Sequence, residues 1–145
     1  MALPDSIPQV GPLRRFGPVM LAYLVVTAFT RPFFWGDKLN CTEANCYGDS
    51  PYGTDAKGTF LQRTCAVDFT NDGKYEVHPW GLMHMHGNAY EWCENYYDKT
   101  NSSRVLRGGS WRYDALYCRA AKRGSSAPDT TSVDGGFRLV VLETL

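Results

Sequence analysis

PWGLMHMHGNAYEWCENYYD, residues 79–98, decides how this chain folds. Gly87 and Asn88 stand side by side in it, and both residue types tolerate positive φ, so the pair predicts a tight backbone turn. Glu91 follows closely enough for its carboxylate to face the carbonyls that such a turn exposes. Trp80 and Trp92, with Trp111 further on, are core candidates whose indole N–H groups can satisfy loop carbonyls.

Downstream, RVLRGGSW (104–111) places a short strand at Val105–Leu106 ahead of Gly108-Gly109, a pair that permits close backbone approach. Arg107 is expected to pair with an acid such as Glu91. GFRLVV (136–141) reads as a closing strand. Upstream, residues 36–75 hold Gly36, Gly48, Gly53, Gly58 and Gly73 among many Asp, Asn and Thr, and read as a long loop system. So long an irregular stretch needs a metal or a polar network to hold it.

The remainder of the chain agrees with this picture. Fourteen Gly and eight Pro in 145 residues cut helices and strands short, while four Trp, nine Tyr and seven Phe provide apolar burial. The length suits one domain. Lys plus Arg equals Asp plus Glu, so no global charge steers the protein to nucleic acid or an acidic membrane. Residues 1–16, with Pro4, Pro8 and Pro12, form an irregular lead-in. Arg14 and Arg15 ahead of the apolar run Val19–Phe29 imitate a signal peptide, but Arg31-Pro32 closes the run before it is long enough to cross a bilayer. A buried strand or short helix over 18–30 is expected instead. Residues 1–31 thus precede a domain that spans 32–145.

The cysteines Cys41, Cys46, Cys65, Cys93 and Cys118 show no C-x-x-C zinc spacing. Cys41 and Cys46 suit either a local disulfide or buried thiols, which leaves the redox compartment open. His84 and His86 would share one face of a strand but not of a helix, and with His78 they lack a matching third ligand, so ordinary polar contacts are expected. Ser110, His84 and Asp114 supply the residue types of a hydrolytic triad, yet nothing like a nucleophile elbow surrounds the serine.

Taken together, residues 79–98, RVLRGGSW, the CRAAKR run (118–123) and the terminal GFR resemble the formylglycine-generating enzyme/sulfatase-modifying-factor family. The likeness extends back through PFFWGDKLNCTEANC (32–46) and KGTFLQRT (57–64). It implies an α+β, C-type lectin fold, rich in loops, with short strands and helices. It also implies two calcium positions, since calcium accepts carboxylate, amide and carbonyl oxygens in flexible geometry. One would use Asn45, the Cys46 carbonyl, Asp55 and the Lys57 carbonyl. The other would use the Gly87 and Ala89 carbonyls with the Glu91 side chain, but this chain has His84 where the family has Asp or Asn, and imidazole is a poor calcium ligand. Catalytic members resemble copper enzymes with two cysteines in the loop after GGS[YW]. Here the first falls at Tyr113, and Cys118 alone represents the second, so a two-thiolate Cu(I) site is incomplete and catalysis is not expected.

Residues 111–135 have a different texture. Framework residues Trp111, Ala115, Cys118-Arg119-Ala120-Ala121, Arg123 and Pro128-Asp129 alternate with clusters of unrelated type. This is similar to the variable proteins of diversity-generating retroelements, in which adenine-directed mutagenesis rewrites AAC codons. Codons ending in C cannot encode Lys, Glu, Gln, Met or Trp, and the clusters hold none of these. The resemblance implies a ligand-binding surface made of Arg112, Tyr113, Asp114, Leu116, Tyr117, Gly124, Ser125, Ser126, Ala127, Thr130, Ser132 and Val133. Tyr and Ser dominate antibody paratopes for the same physical reason, large rigid contacts beside adaptable hydrogen bonders. The expected partner is a protein or other cell-surface ligand, without nucleic acid, membrane insertion or a required cofactor; calcium is the one ion the resemblance implies.

Overall fold

A computed structural model describes residues 31–67, 75, 77–100 and 102–139. The expected lead-in, the apolar run that follows it with the element expected over 18–30, and the end of GFRLVV lie outside these residues.

Strand β1, Tyr90–Tyr96, alternates its side chains between two environments. Glu91 and Cys93 are buried on one side, while Tyr90 and Trp92 occupy the other. Strand β2, Arg104–Arg107, pairs antiparallel to it with Glu91 opposite Arg107 and Trp92 opposite Leu106. Strand β3, Gly124–Ser126, continues the sheet beyond β2, and β4, Gly135–Gly136, runs parallel to β1 on its other side. The order is β3-β2-β1-β4.

A single 3-10 helix, Ala115–Cys118, is the helical element among the described residues. The fold is therefore small and sheet-rich with almost no helix, and the short helices expected of an α+β domain reduce to this one turn. The closing strand is also shorter than GFRLVV suggests. It stops at Gly136, after which Arg138 turns inward while Phe137 and Leu139 are 73% and 83% exposed.

Residues 31–67 hold together without a named strand. Isolated bridges join Phe33 to Gly36, Leu39 to Tyr52 and Tyr47 to Asp114. Cys41 and Cys46 are joined in a disulfide, with Cα atoms 5.4 Å apart. Both belong to an apolar cluster with Phe33, Leu39, Ala44, Ala115 and Cys118, so the loop system and the 3-10 helix share one core. Burying a side chain the size of Phe33 or Leu39 contributes about 2–3 kcal/mol.

The Gly87-Asn88 turn joins these parts, as its residue types predict: φ is +76° and +68°. Gly87 N–H donates to the Gly108 carbonyl at 2.7 Å, and Asn88 N–H to the Asn45 carbonyl at 2.7 Å. The Asn88 carbonyl accepts from Trp111 N–H. Its side-chain oxygen accepts from Cys65 N–H and from Asn45 Nδ2, and its Nδ2 donates to the Cys65 carbonyl. This is a polar network of the kind the long loop requires. A Cβ on Gly87 would lie 2.3 Å from the Asn45 carbonyl oxygen. Gly87→Ala combines that clash with unfavourable φ, so a loss of about 3 kcal/mol or more is expected. Urea melts of the two proteins check it, and a difference below about 1 kcal/mol contradicts the keystone role.

Candidate ligand-binding surface

The segment after Trp111 is built on a buried floor. Ala115 and Cys118 are 0% exposed and Ala120 is buried beside Met85. Gly109, at φ +75°, lets the chain pass close beneath: a Cβ there would meet Cys118 Sγ at 2.6 Å. Tyr47 N–H donates to the Tyr113 carbonyl and Ala115 N–H to the Ser50 carbonyl, so the upstream loop supports the segment from the side. Below it, the neutral ring of His86 donates from Nδ1 to the Cys118 carbonyl at 2.6 Å and accepts at Nε2 from Phe34 N–H. Arg107 donates to the Ala120 and Lys122 carbonyls.

Residues of the clusters of unrelated type face outward from this floor. Arg112, Tyr113, Leu116, Ser125, Ala127, Thr130, Ser132 and Val133 are exposed, and Asp114, Tyr117, Gly124 and Ser126 are half-buried. The structure brings some of them together. Tyr113 lies edge-on to Tyr90 at 5.3 Å and 5.4 Å from Tyr117, and Gly124 abuts the Tyr90 ring. Burial raises the Tyr90 phenol, with Cys118, Tyr113, Tyr117 and Asp134 adding to the effect, so it is a neutral platform.

Others stand apart. Gly124 and Ser126 share a sheet face with Leu106, whereas Ser125 alternates to the side of Val105 at the open edge. Thr130, Ser132 and Val133 lead into β4, at the opposite edge of the sheet from β3. The surface is thus a tyrosine-centred patch with outlying flanks rather than one plane.

Two supporting residues were not legible as such. Asp134 is buried; it accepts from Ser110 Oγ at 2.6 Å and from Ser132 Oγ, and its carbonyl takes Tyr90 N–H. It therefore anchors the 130–133 flank to the strand core. Its only signal is an acid directly before Gly135-Gly136. Arg138, from the GFR motif, donates to both Glu91 carboxylate oxygens and to the Met83 carbonyl. The partner expected for Glu91 was Arg107, which faces it across the strands but sends its guanidinium to carbonyls. A second correction concerns Trp80, expected in the core but 53% exposed, its ring edge-on to His78.

The residues considered for chemistry serve other ends. Ser110 is bonded to Asp134, not to a histidine. Burial pushes the Cys118 thiol up to about 12, so it holds its proton at neutral pH. His84 takes φ +53°, a backbone conformation that Asn and Asp adopt readily, and carbonyls of Ala66 and Val67 hydrogen-bond its ring. Of the implied calcium ligands, Glu91 is held by Arg138. Asn45 is buried, with its Oδ1 lacking a hydrogen-bond partner among the described residues, while Asp55 and Lys57 are exposed and Lys57 pairs with Asp49. Among the described residues no group of three or more His, Cys, Asp or Glu side chains is arranged to hold a metal ion, and no helix is long and apolar enough to cross a membrane.

A sheet-rich scaffold that carries a loop-borne surface on a GGSW framework defines the class. The sulfatase-modifying factor enzyme 1-like domain matches residues 29–142, and the chain belongs to that family. It is 29% identical to the formylglycine-generating enzyme of Streptomyces coelicolor over 134 residues, covering 74% of this chain and 40% of that protein. It is 33% identical over 102 residues to the serine/threonine-protein kinase pkn1 of Chlamydia caviae, covering 56% of this chain and 16% of that one. The chain therefore spans well under half the length of these relatives. Among solved structures, Treponema denticola variable protein 1 is similar at 29% identity and a TM-score of 0.47, covering 53% of this chain and 31% of that one.

The buried histidine under the surface makes stability depend on pH. Burial lowers His86 from 6.5 to about 4, outweighing the Cys118 carbonyl bond that favours the charged ring. Burial lowers His78 and His84 as well. Because the unfolded chain binds the His86 proton first, its contribution is complete above pH 6.5 and is lost as pH falls toward about 4. The loss amounts to about 3 kcal/mol. His86→Gln is expected to be less stable at neutral pH but to lose less over this interval; parallel urea melts at several pH values check the difference in slope.

Proposed function

We propose that this chain is a ligand-binding protein, the product of a diversity-generating retroelement, which displays a diversified surface on its C-type-lectin-like scaffold. The observation that carries the reading is the division within residues 111–135. Ala115, Cys118 and Ala120 are buried and make the floor, while the residues of unrelated type between and after them are exposed or half-exposed. Side chains that contribute little to the core can be exchanged at small cost, about 0.5 kcal/mol or less for an ordinary surface position. Tyr113 and Tyr117 form its aromatic centre and Leu116 an apolar neighbour 42% exposed, with a protein or other cell-surface molecule as ligand. The scaffold bears the ordering cost once, whatever the surface residues are.

A reading as an oxidase of the formylglycine-generating kind draws on family membership and on Cys118. Against it stand Tyr113 where a second thiolate is needed and a Cys118 thiol that is fully buried and protonated. The neighbouring DNA is the direct test: a near-copy of the segment encoding 111–135, differing at adenines and lying beside a reverse transcriptase gene, is expected. Its absence, together with stoichiometric Cu(I) binding and oxidation of a cysteine peptide, overturns the proposal in favour of the enzyme.

Calcium enters this reading only as a structural ion, held by Asn45 Oδ1, the Cys46 carbonyl, Asp55 and the Lys57 carbonyl. The buried, unpartnered Asn45 oxygen is the hard ligand it prefers. Millimolar calcium is then expected to raise Tm relative to EGTA, and Asn45→Ala to abolish the rise; an unchanged Tm removes the ion from the account.

A further inference from the structure

The interchangeable residues do not make the whole of this surface. Lys122 Nζ lies 4.6 Å from the centre of the Tyr117 ring, and the Arg119 guanidinium 5.4 Å from that of Tyr52. Arg119 Nε also donates to the Leu116 carbonyl at 3.0 Å, which fixes it at the end of the 3-10 helix beside the exposed Leu116 side chain. Neither cation belongs to an interchangeable cluster: Arg119 is a framework residue, and Lys122 lies between the framework residues Ala121 and Arg123. The rings hold them in place by cation–π attraction without neutralising them.

Among the described residues no carboxylate pairs with them either. The ion pairs among the described residues are Lys57–Asp49 and Arg138–Glu91. Charges at the surface of 111–135 are Arg112, Arg119, Lys122 and Arg123 against Asp114 and Asp129, since Asp134 is buried beneath. In a chain of zero formal net charge, the segment that carries the tyrosine patch thus has an excess of positive charge, with Lys122 on the Tyr117 ring itself. We infer that Arg119 and Lys122, both outside the interchangeable clusters, preselect acidic partners, so that each version of the surface docks on a protein segment bearing Asp or Glu beside an apolar or aromatic contact.

This rests on the binding-surface reading and adds to it a bias that diversification leaves untouched. Charge complementarity of this kind raises association rates and rejects like-charged partners. A nucleic acid fits less well. Lys122 covers Tyr117 and the Tyr90 edge meets Tyr113, which obstructs base stacking, while Asp114 and Asp129 would oppose a continuous polyanion.

The test is selection of a displayed random-peptide library on the full chain, followed by affinity measurement of synthetic versions of the recovered peptides. Enrichment of Asp and Glu is expected, as is a loss of about tenfold or more for Lys122→Glu near 50 mM salt that shrinks at higher salt. Arg119→Glu should act in the same direction. Lys122 has no side-chain hydrogen bond among the described residues, which keeps its variant informative if Arg119→Glu disturbs the helix. Tyr113→Ala and Tyr117→Ala test the surface itself. Peptides lost with the tyrosine variants but neither acidic nor sensitive to Lys122→Glu overturn the charge inference and leave the binding surface standing. Peptides indifferent to all four variants overturn both. A single-stranded oligonucleotide that binds as tightly as the peptides, with the same dependence on Lys122, replaces the acidic protein partner with a general polyanion and also overturns the inference.

Discussion

The left-handed turn at Gly87-Asn88 is the constraint from which the rest of the architecture follows. Its two residues bond to the loop at Asn45 and at Cys65, and to residues 108–111 through the Gly108 carbonyl and Trp111 N–H, so three separated stretches meet at the turn. All of them are irregular backbone there, whose peptide groups must find partners when buried. Asn88 can serve them because its amide carries both donors and an acceptor. Gly87 must be glycine for a steric reason, the Asn45 carbonyl, and not merely for flexibility.

From this junction the chain separates its tasks. The disulfide-closed loop and the 3-10 helix bury Phe33, Leu39, Cys46, Ala115 and Cys118 together. The segment following Trp111 then returns to that core only at small or buried positions, and the residues between them are released to solvent. A buried, protonated Cys118 belongs to such a floor. So does His86, whose ring bonds to the Cys118 carbonyl from below and lies among Phe33, Phe34 and Trp35.

How much of this was legible in the sequence depended on whether the signal was local. Gly87, Asn88 and the Val105–Leu106 strand announce themselves because turn and strand preferences act over a few residues, and the framework-and-cluster alternation of 111–135 is likewise a short-range pattern. What sequence could not supply was pairing across distance. Glu91 had two arginines to choose from, and only the fold shows that Arg138 holds it in a two-oxygen grip while Arg107 serves carbonyls. Trp80 illustrates the same limit: size favours burial, yet the turn at 78–81 carries the ring to the surface. Asp134 was missed because a lone acid before two glycines has no motif value until Ser110 and Ser132 are seen around it.

Strand β3 has a bearing on what this molecule can become. It is an edge strand of Gly-Ser-Ser, joined to β2 through its peptide groups and contributing almost no side-chain packing. Main-chain bonds do not distinguish one residue type from another, with proline as the exception because it lacks the N–H. The edge of the sheet therefore works like a rail onto which new residues can be loaded without re-registering the strand beside it. Its brevity has a second effect, leaving little open ladder on which another chain could polymerise.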